Sequence, residues 1–218
     1  MRNISILLLS IAIFSSCTPA KLLTVSSTNV PLKNSAFVFE NDTVRITYHF
    51  WADNGIMDFD IYNKMSEPIF FDWKNSAFIP NDQMVSYWQD VTNTVGSSLT
   101  GSSWLYSGIV TSGASKSIHQ ERIGVIPPHS LIKKNDFRLV KSWMDVPKDG
   151  SYNKESSFLN FRNYLMLSTN EKFDGKPLAV DNMFYISNIK SIHYGKRADY
   201  TAPNCFVVKV SGEYKKQK

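Results

Sequence analysis

Cysteine is nearly absent from this chain: of 218 residues, only Cys17 and Cys205 carry a thiol. Two cysteines cannot build the disulfide framework that holds small secreted scaffolds together. Beyond residues 4–14, no apolar stretch approaches the roughly 20 residues that a membrane-crossing helix needs. Internal repeats and heptads are missing too. So are the GxSxG nucleophile elbow, the GxxxxGK[ST] phosphate cradle and the GxGxxG dinucleotide loop. The four histidines, His49, His119, His129 and His193, fall in no metal-ligand spacing. The expectation is therefore no cofactor, no metal site and no enzyme. A formal charge of +5 without a basic stripe argues against nucleic acid as a partner.

What is present begins at the N-terminus. Arg2 supplies a positive start, residues 4–14 are apolar except for Ser5 and Ser10, and Phe14-Ser15-Ser16-Cys17 closes the run with small residues before a cysteine. An apolar core of this length with a basic start and a small-residue exit is the pattern of a removable signal peptide. The cysteine at the exit makes the segment resemble a bacterial lipoprotein signal, although Phe14 stands where leucine is commonest. That resemblance implies that residues 1–16 are removed and that Cys17 becomes the lipidated N-terminus. The mature chain would then be anchored to a membrane without crossing it. Two other readings are an ordinary secretory cleavage before Lys21 and an uncleaved, buried segment.

Removing residues 1–16 leaves about 200 residues, enough for one large all-β domain or two small ones. At 43% hydrophobic and 20% charged, the chain can bury a core. Residues 17–35, rich in Ser, Thr, Asn and Lys, read as a tether. Residues 36–214 read as a single sandwich domain, and residues 215–218, with Lys215, Lys216 and Lys218, as a basic tail whose ordinary fate is to be solvated. The period over Val44-Arg45-Ile46-Thr47-Tyr48-His49-Phe50 is two, and Met57-Asp58-Phe59-Asp60-Ile61 repeats it. Each pattern gives a strand with one buried and one wet face. Asp53-Asn54-Gly55 between them is a hairpin signal.

Further strands are expected at 69–73, 76–79, 84–88, 118–126, 136–143, 159–167, 184–193 and 206–214. Pro127-Pro128 should end one of them, because proline cannot donate to a ladder. Residues 156–164 fit a short helix as well as a strand. Many short, aromatic and β-branched strands point to an antiparallel sandwich. Residues 93–117, with four glycines and many serines, read as a long Gly/Ser-rich loop. Trp104-Leu105-Tyr106 within it either folds back as a short strand or presents a contact surface.

Candidate chemistry is sparse. Asp58 and Asp60 share a strand face and match a glycosidase carboxylate pair only in spacing; acids on the wet face of a hairpin need no catalytic explanation. His49 falls on the polar face with Arg45 and Thr47, and His129 at a turn. Cys205 sits in an apolar strand, where a lone cysteine is a small filler. Trp51, Trp104 and Tyr106 form the candidate contact surface, since exposed rings stack on sugars. Asn41-Asp42-Thr43 and Asp42-Thr43-Val44 match glycosylation patterns of low specificity.

Two stretches resemble small envelope lipoproteins of Bacteroidota with Ig-like modules. One is Ile61-Tyr62-Asn63-Lys64-Met65-Ser66-Glu67-Pro68-Ile69, followed by the aromatic Phe70-Phe71-Asp72-Trp73. The other is the paired-proline strand end Ile126-Pro127-Pro128-His129-Ser130. Phe161-Arg162-Asn163-Tyr164 and Phe184-Tyr185-Ile186-Ser187 look similar as well. The resemblance covers most of residues 37–193 and implies an all-β, antiparallel Ig-like β-sandwich with at most a short helix. It implies no activity. With no acidic residue in Thr18-Pro19-Ala20-Lys21-Leu22, it points to the periplasmic face of the outer membrane. The expected function is a noncatalytic, lipid-anchored module that binds or scaffolds another envelope component. The alternatives are a glycan-binding accessory lipoprotein and a hydrolase using the Asp58/Asp60 pair.

Overall fold

The computed structural model describes residues 19–88, 90–91, 118–119, 121–141 and 145–210. Cys17, Trp104, Tyr106, the 93–117 loop and the basic tail lie outside them. The strands in chain order are β1 (Pro19–Ser27), β2 (Leu32–Lys33), β3 (Ala36–Glu40), β4 (Val44–His49), β5 (Ile56–Asn63), β6 (Ile69–Asp72), β7 (Ala77–Pro80) and β8 (Val85–Ser86). There follow β9 (Asp90–Val91), β10 (Ile118–His119), β11 (Ile123–Ile126), β12 (Leu131–Arg138), β13 (Gly150–Ser151), β14 (Asn160–Ser168), β15 (Leu178–His193) and β16 (Cys205–Lys209).

The larger sheet runs β11-β6-β14-β15-β1-β16, with β7, β8 and β13 attached at its side, and the smaller runs β12-β5-β4-β3-β2. β9 and β10 pair separately. The ladders are antiparallel. The alternation read from the sequence sets the faces. Val44, Ile46 and Tyr48 of β4 and Met57, Phe59 and Ile61 of β5 point inward, against Phe161, Leu165 and Leu167 of β14 and Phe184 and Ile186 of β15. Rings meet across the two layers: Tyr48 lies 4.8 Å from Phe184 and Phe50 lies 5.5 Å from Phe161, both edge-on. The fold is an all-β, antiparallel sandwich.

The expected hairpin forms, pairing His49 with Asp58 and Val44 with Asn63, but its turn is not free. Asn54 donates its N–H to Val207 O at 2.7 Å, and Val140 donates to Asn54 O at 3.0 Å. The turn thus stitches β16 of the large sheet to the segment after β12 and closes one side of the sandwich. Asn54 and Gly55 have φ of 65° and 64°, and a Cβ on Gly55 would stand 2.9 Å from the Phe206 ring. Glycine is required there both for the left-handed backbone and for the close approach.

Several expectations are corrected. The tether over 17–35 is not a tether from residue 19 onward. Pro19–Ser27 is a strand between β15 and β16, and Leu23 and Val25 are buried in the common core. Its Ser- and Thr-rich outward positions masked an alternation whose inward members are Leu23 and Val25, while Ala20 is buried on the opposite face. Residues 156–164 contain no helix: Phe161 and Asn163 turn inward at strand spacing. The short helix of the described residues is a 3-10 turn, Tyr194–Asp199, which the sequence reading missed. The strand expected at 136–143 is seated earlier, at Leu131–Arg138. That expected at 118–126 is split between two partners, β9 and β6. β15 starts at Leu178, six residues before the expected 184. It carries a bulge at Ser187, opposite Thr24/Val25, which spaces its inward residues as Ile186 and Ile189.

Candidate functional site

The Asp58/Asp60 pair lies on the outward face of β5, with side-chain exposures of 18% and 28%. Lys133, directly across the ladder from Asp60, sits 3.0 Å from Asp58 and 3.8 Å from Asp60. His49 Nε2 is 3.9 Å from Asp60. The hydrogen bond to Asp58 raises the Lys133 pKa above its ordinary value against the cost of burial, and the two carboxylate charges add to it. The acids therefore stand on a pleated sheet face and share one lysine, an arrangement of cross-strand ion pairing.

Trp51 is half-buried at the mouth of the hairpin turn, two residues past the end of β4; Trp104 and Tyr106 lie outside the described residues. The tryptophans with defined neighbours are Trp73 and Trp88. Trp73 packs 4.0 Å from Phe71, covers Gly124 so closely that a Cβ there would meet its Nε1 at 2.6 Å, and carries Lys134 Nζ 4.9 Å from its ring. Lys74 Nζ lies 5.3 Å from the Trp88 ring. These rings are half-buried and topped by cations.

Beneath Trp73, β6 and β7 both pair with β14 in line, separated by the turn 73–76. Asp72 builds this turn. Its Oδ1 accepts from the N–H groups of Lys74 (3.1 Å) and Asn75 (3.2 Å), and its Oδ2 accepts from Asn75 Nδ2 (2.8 Å). Arg122 Nε and Nη2 close a two-pronged bond at 3.2 and 2.7 Å. The buried Ser76 hydroxyl donates to Asp72 O and accepts from Met166 N, bridging the gap in the ladder. Burial raises the Asp72 pKa, but the Arg122 hydrogen bond, the Asn75 bonds and the Arg122 charge together outweigh it and hold the carboxyl below its ordinary value. A group depressed in the folded state stabilises fully above its unfolded pKa of about 4 and loses that contribution as pH falls through the folded value. We predict that urea midpoints measured from pH 5 down to pH 2 fall steadily. In Arg122→Gln the midpoint should be lower at pH 5 and the acid slope shallower; an unchanged slope would contradict the assignment to this pair.

Asn63 ties together two of the stretches quoted above. Fully buried, it donates its amide to Glu67 O at 2.8 Å, Ile126 O at 3.0 Å and Pro127 O at 3.1 Å, and its Oδ1 accepts from Met65 N at 2.8 Å. The Asn–Pro-Ile stretch and the paired-proline stretch are thus one structural unit. β11 ends at Ile126, before the prolines, and His129, at φ 51°, occupies the left-handed position of the turn.

A concavity of about 250 Å³ opens beside β14, lined by Ile79, Asp82, Lys154, Asn160, Arg162 and Met183 among others. Arg162 forms a two-pronged pair with Asp181, whose hydrogen bond raises its pKa. Asn81 pins the β7–β8 turn to β14 by exchanging hydrogen bonds with the Asn160 backbone at 2.7 and 2.9 Å. Asn160 Oδ1 is shielded and has no hydrogen-bond partner among the described residues. The walls offer charges of both signs and amide groups, a lining suited to polar ligands. Cys205 is buried, its thiol donating toward Ala202 O and Tyr200 O and pushed up in pKa by burial. Among the described residues no cluster of three His, Cys, Asp or Glu side chains could hold a metal ion, and no helix is long and apolar enough to cross a membrane.

The sequence reading missed the gathering of cations where the chain enters the fold. Lys190, Lys196, Arg197 and Lys209 are all exposed, and Pro19 and Ala20 pair with His193 and Lys209 in the same corner. The local signal was Lys190-Ser191-Ile192-His193-Tyr194-Gly195-Lys196-Arg197; its proximity to Pro19 and Lys209 exists only in the fold. Comparison with protein-family models, curated proteins and solved structures finds no match for this chain.

Proposed function

We propose that this protein is a lipid-anchored, noncatalytic module of the bacterial cell envelope. Acylated Cys17 holds it at the periplasmic face of the outer membrane, where it binds or scaffolds another envelope component. The observation that carries the reading is the position of β1. Pro19, two residues past Cys17, already pairs with His193 in the large sheet, so the sandwich lies close in sequence to the exit of the lipoprotein-like leader. The sharing of Lys133 between the two acids in a cross-strand ion pair supports a noncatalytic reading over a hydrolase. The joining of two resemblance stretches through Asn63 supports an Ig-like variety of sandwich. The mixed-charge concavity beside β14 favours glycan binding as the second reading.

The protein purified from its own membranes should begin at Cys17 and carry the added mass of acyl chains. Cys17→Ser should retain residues 1–16 and lack that mass. An unacylated Cys17 with the leader present would end the reading. Capture of a protein from detergent-solubilised membranes by the acylated chain supports the scaffold; a fluorescence response to a glycan panel without such capture supports the second reading.

A further inference from the structure

We propose that the corner where the chain enters the sandwich is a docking surface for anionic phospholipid headgroups, so that the domain lies with this end pressed to the bilayer. The proposal rests on the lipid-anchor reading. One residue, Thr18, separates Cys17 from Pro19, and two residues of extended chain span about 7 Å. Pro19 is already fixed, paired with His193 and accepting a hydrogen bond from Val210 N at 3.1 Å. No tether lifts the domain away, so an acylated Cys17 sets this corner at headgroup depth.

The side chains there suit that position. Lys190, Lys196, Arg197 and Lys209 are exposed, and the acids among them are Asp53 and Asp199. Lys21 lies 3.7 Å from Asp149, and the two offset each other. Four cations against two acids leave a positive surface. It is held in shape by Tyr194, whose hydroxyl donates to Asp53. Its ring has Arg197 Cζ at 4.4 Å and Lys209 Nζ at 4.3 Å from its centre. A tyrosine beside basic side chains is the composition of a membrane interface. Acyl chains combined with a basic patch are the two signals that make anchoring stable.

Two single-site probes in the acylated full chain test the proposal: Ala198→Cys in the 3-10 turn and Gly175→Cys in the loop before β15, each labelled with a fluorophore. Gly175 accepts a side chain, since a Cβ there meets nothing within 4 Å. β15 has 16 residues and separates its two ends by about 50 Å. The protein is inserted into vesicles of phosphatidylcholine alone or with about 30% phosphatidylglycerol, carrying a headgroup-attached quencher. Quenching at residue 198 should be at least about threefold stronger with phosphatidylglycerol and fall back in about 0.5 M salt. The same loss should follow from combined Lys190→Gln, Lys196→Gln, Arg197→Gln and Lys209→Gln. Residue 175 should stay unquenched. Equal quenching at 198 in both lipids, insensitive to salt, overturns the proposal, and the salt arm needs no substitution. The mass of the N-terminal cysteine is read separately. If it is unacylated, the anchor reading falls, and flotation of the same protein with the two vesicle types decides the surface. A salt-sensitive preference for phosphatidylglycerol supports it; no preference overturns it.

Discussion

Phe184→Ala should lower the stability of this protein by about 3–5 kcal/mol, the range for emptying a buried phenylalanine site. Phe184 sits at the centre of β15 and is 2% exposed. Its ring touches both layers: Phe37, Tyr48 and Phe50 of the small sheet and its margin at 5.4, 4.8 and 5.2 Å, and Phe161 of its own sheet at 5.4 Å. Four rigid rings cannot collapse into the space it leaves, so the cavity term adds to the lost burial. Against a total of about 5–15 kcal/mol for a typical domain, this is a large share. Urea unfolding monitored by tryptophan emission should show the midpoint dropping with little change in slope. Phe184→Leu, which keeps most of the volume, should lose less than about 1.5 kcal/mol. A loss below about 1 kcal/mol for the alanine variant would mean that the two layers do not meet at this residue.

Tyr48→Phe should cost about 2–5 kcal/mol through polar groups alone. The Tyr48 hydroxyl, wholly buried, accepts hydrogen bonds from Asn182 Nδ2 at 2.7 Å and Asn163 Nδ2 at 3.0 Å. Tyr87 donates to Asn163 Oδ1 at 2.8 Å, extending the network through the core. Burial raises the Tyr48 pKa well above its ordinary value, so the phenol stays neutral. Removing one oxygen deprives two buried amides of their acceptor, and each such loss costs about 1–3 kcal/mol. The ring remains, so packing is unchanged. Adding Asn182→Val should recover part of the loss, because the orphaned donor leaves with it. Strict additivity of the two substitutions would show that these groups do not share a network.

The strand faces around this network were legible because alternation needs only neighbours. Arg45, Thr47 and His49 had to share one face once Val44, Ile46 and Tyr48 took the other. Asp53-Asn54-Gly55 was legible for the same local reason. β1 was not: Ser26 and Ser27 resemble linker residues until β15 pairs with them. The inward asparagines 163 and 182 defied the apolar rule because their partner, Tyr48, is more than a hundred residues away. The basic corner was half legible, since Lys190, Lys196 and Arg197 are sequence neighbours, whereas Lys209 joins them only through β16.

By itself, the sequence determined an all-β body with alternating faces, a hairpin at residues 53–55 and a strand end before Pro127, all set by neighbour-to-neighbour chemistry. Only the tertiary structure decided that residues 19–27 lie inside the large sheet, that Lys133 is shared between the two acids and that four cations gather at the corner by Pro19. Those arrangements depend on ladder register and on which strands become neighbours, and both are fixed by burying one common core rather than by any local run of residues.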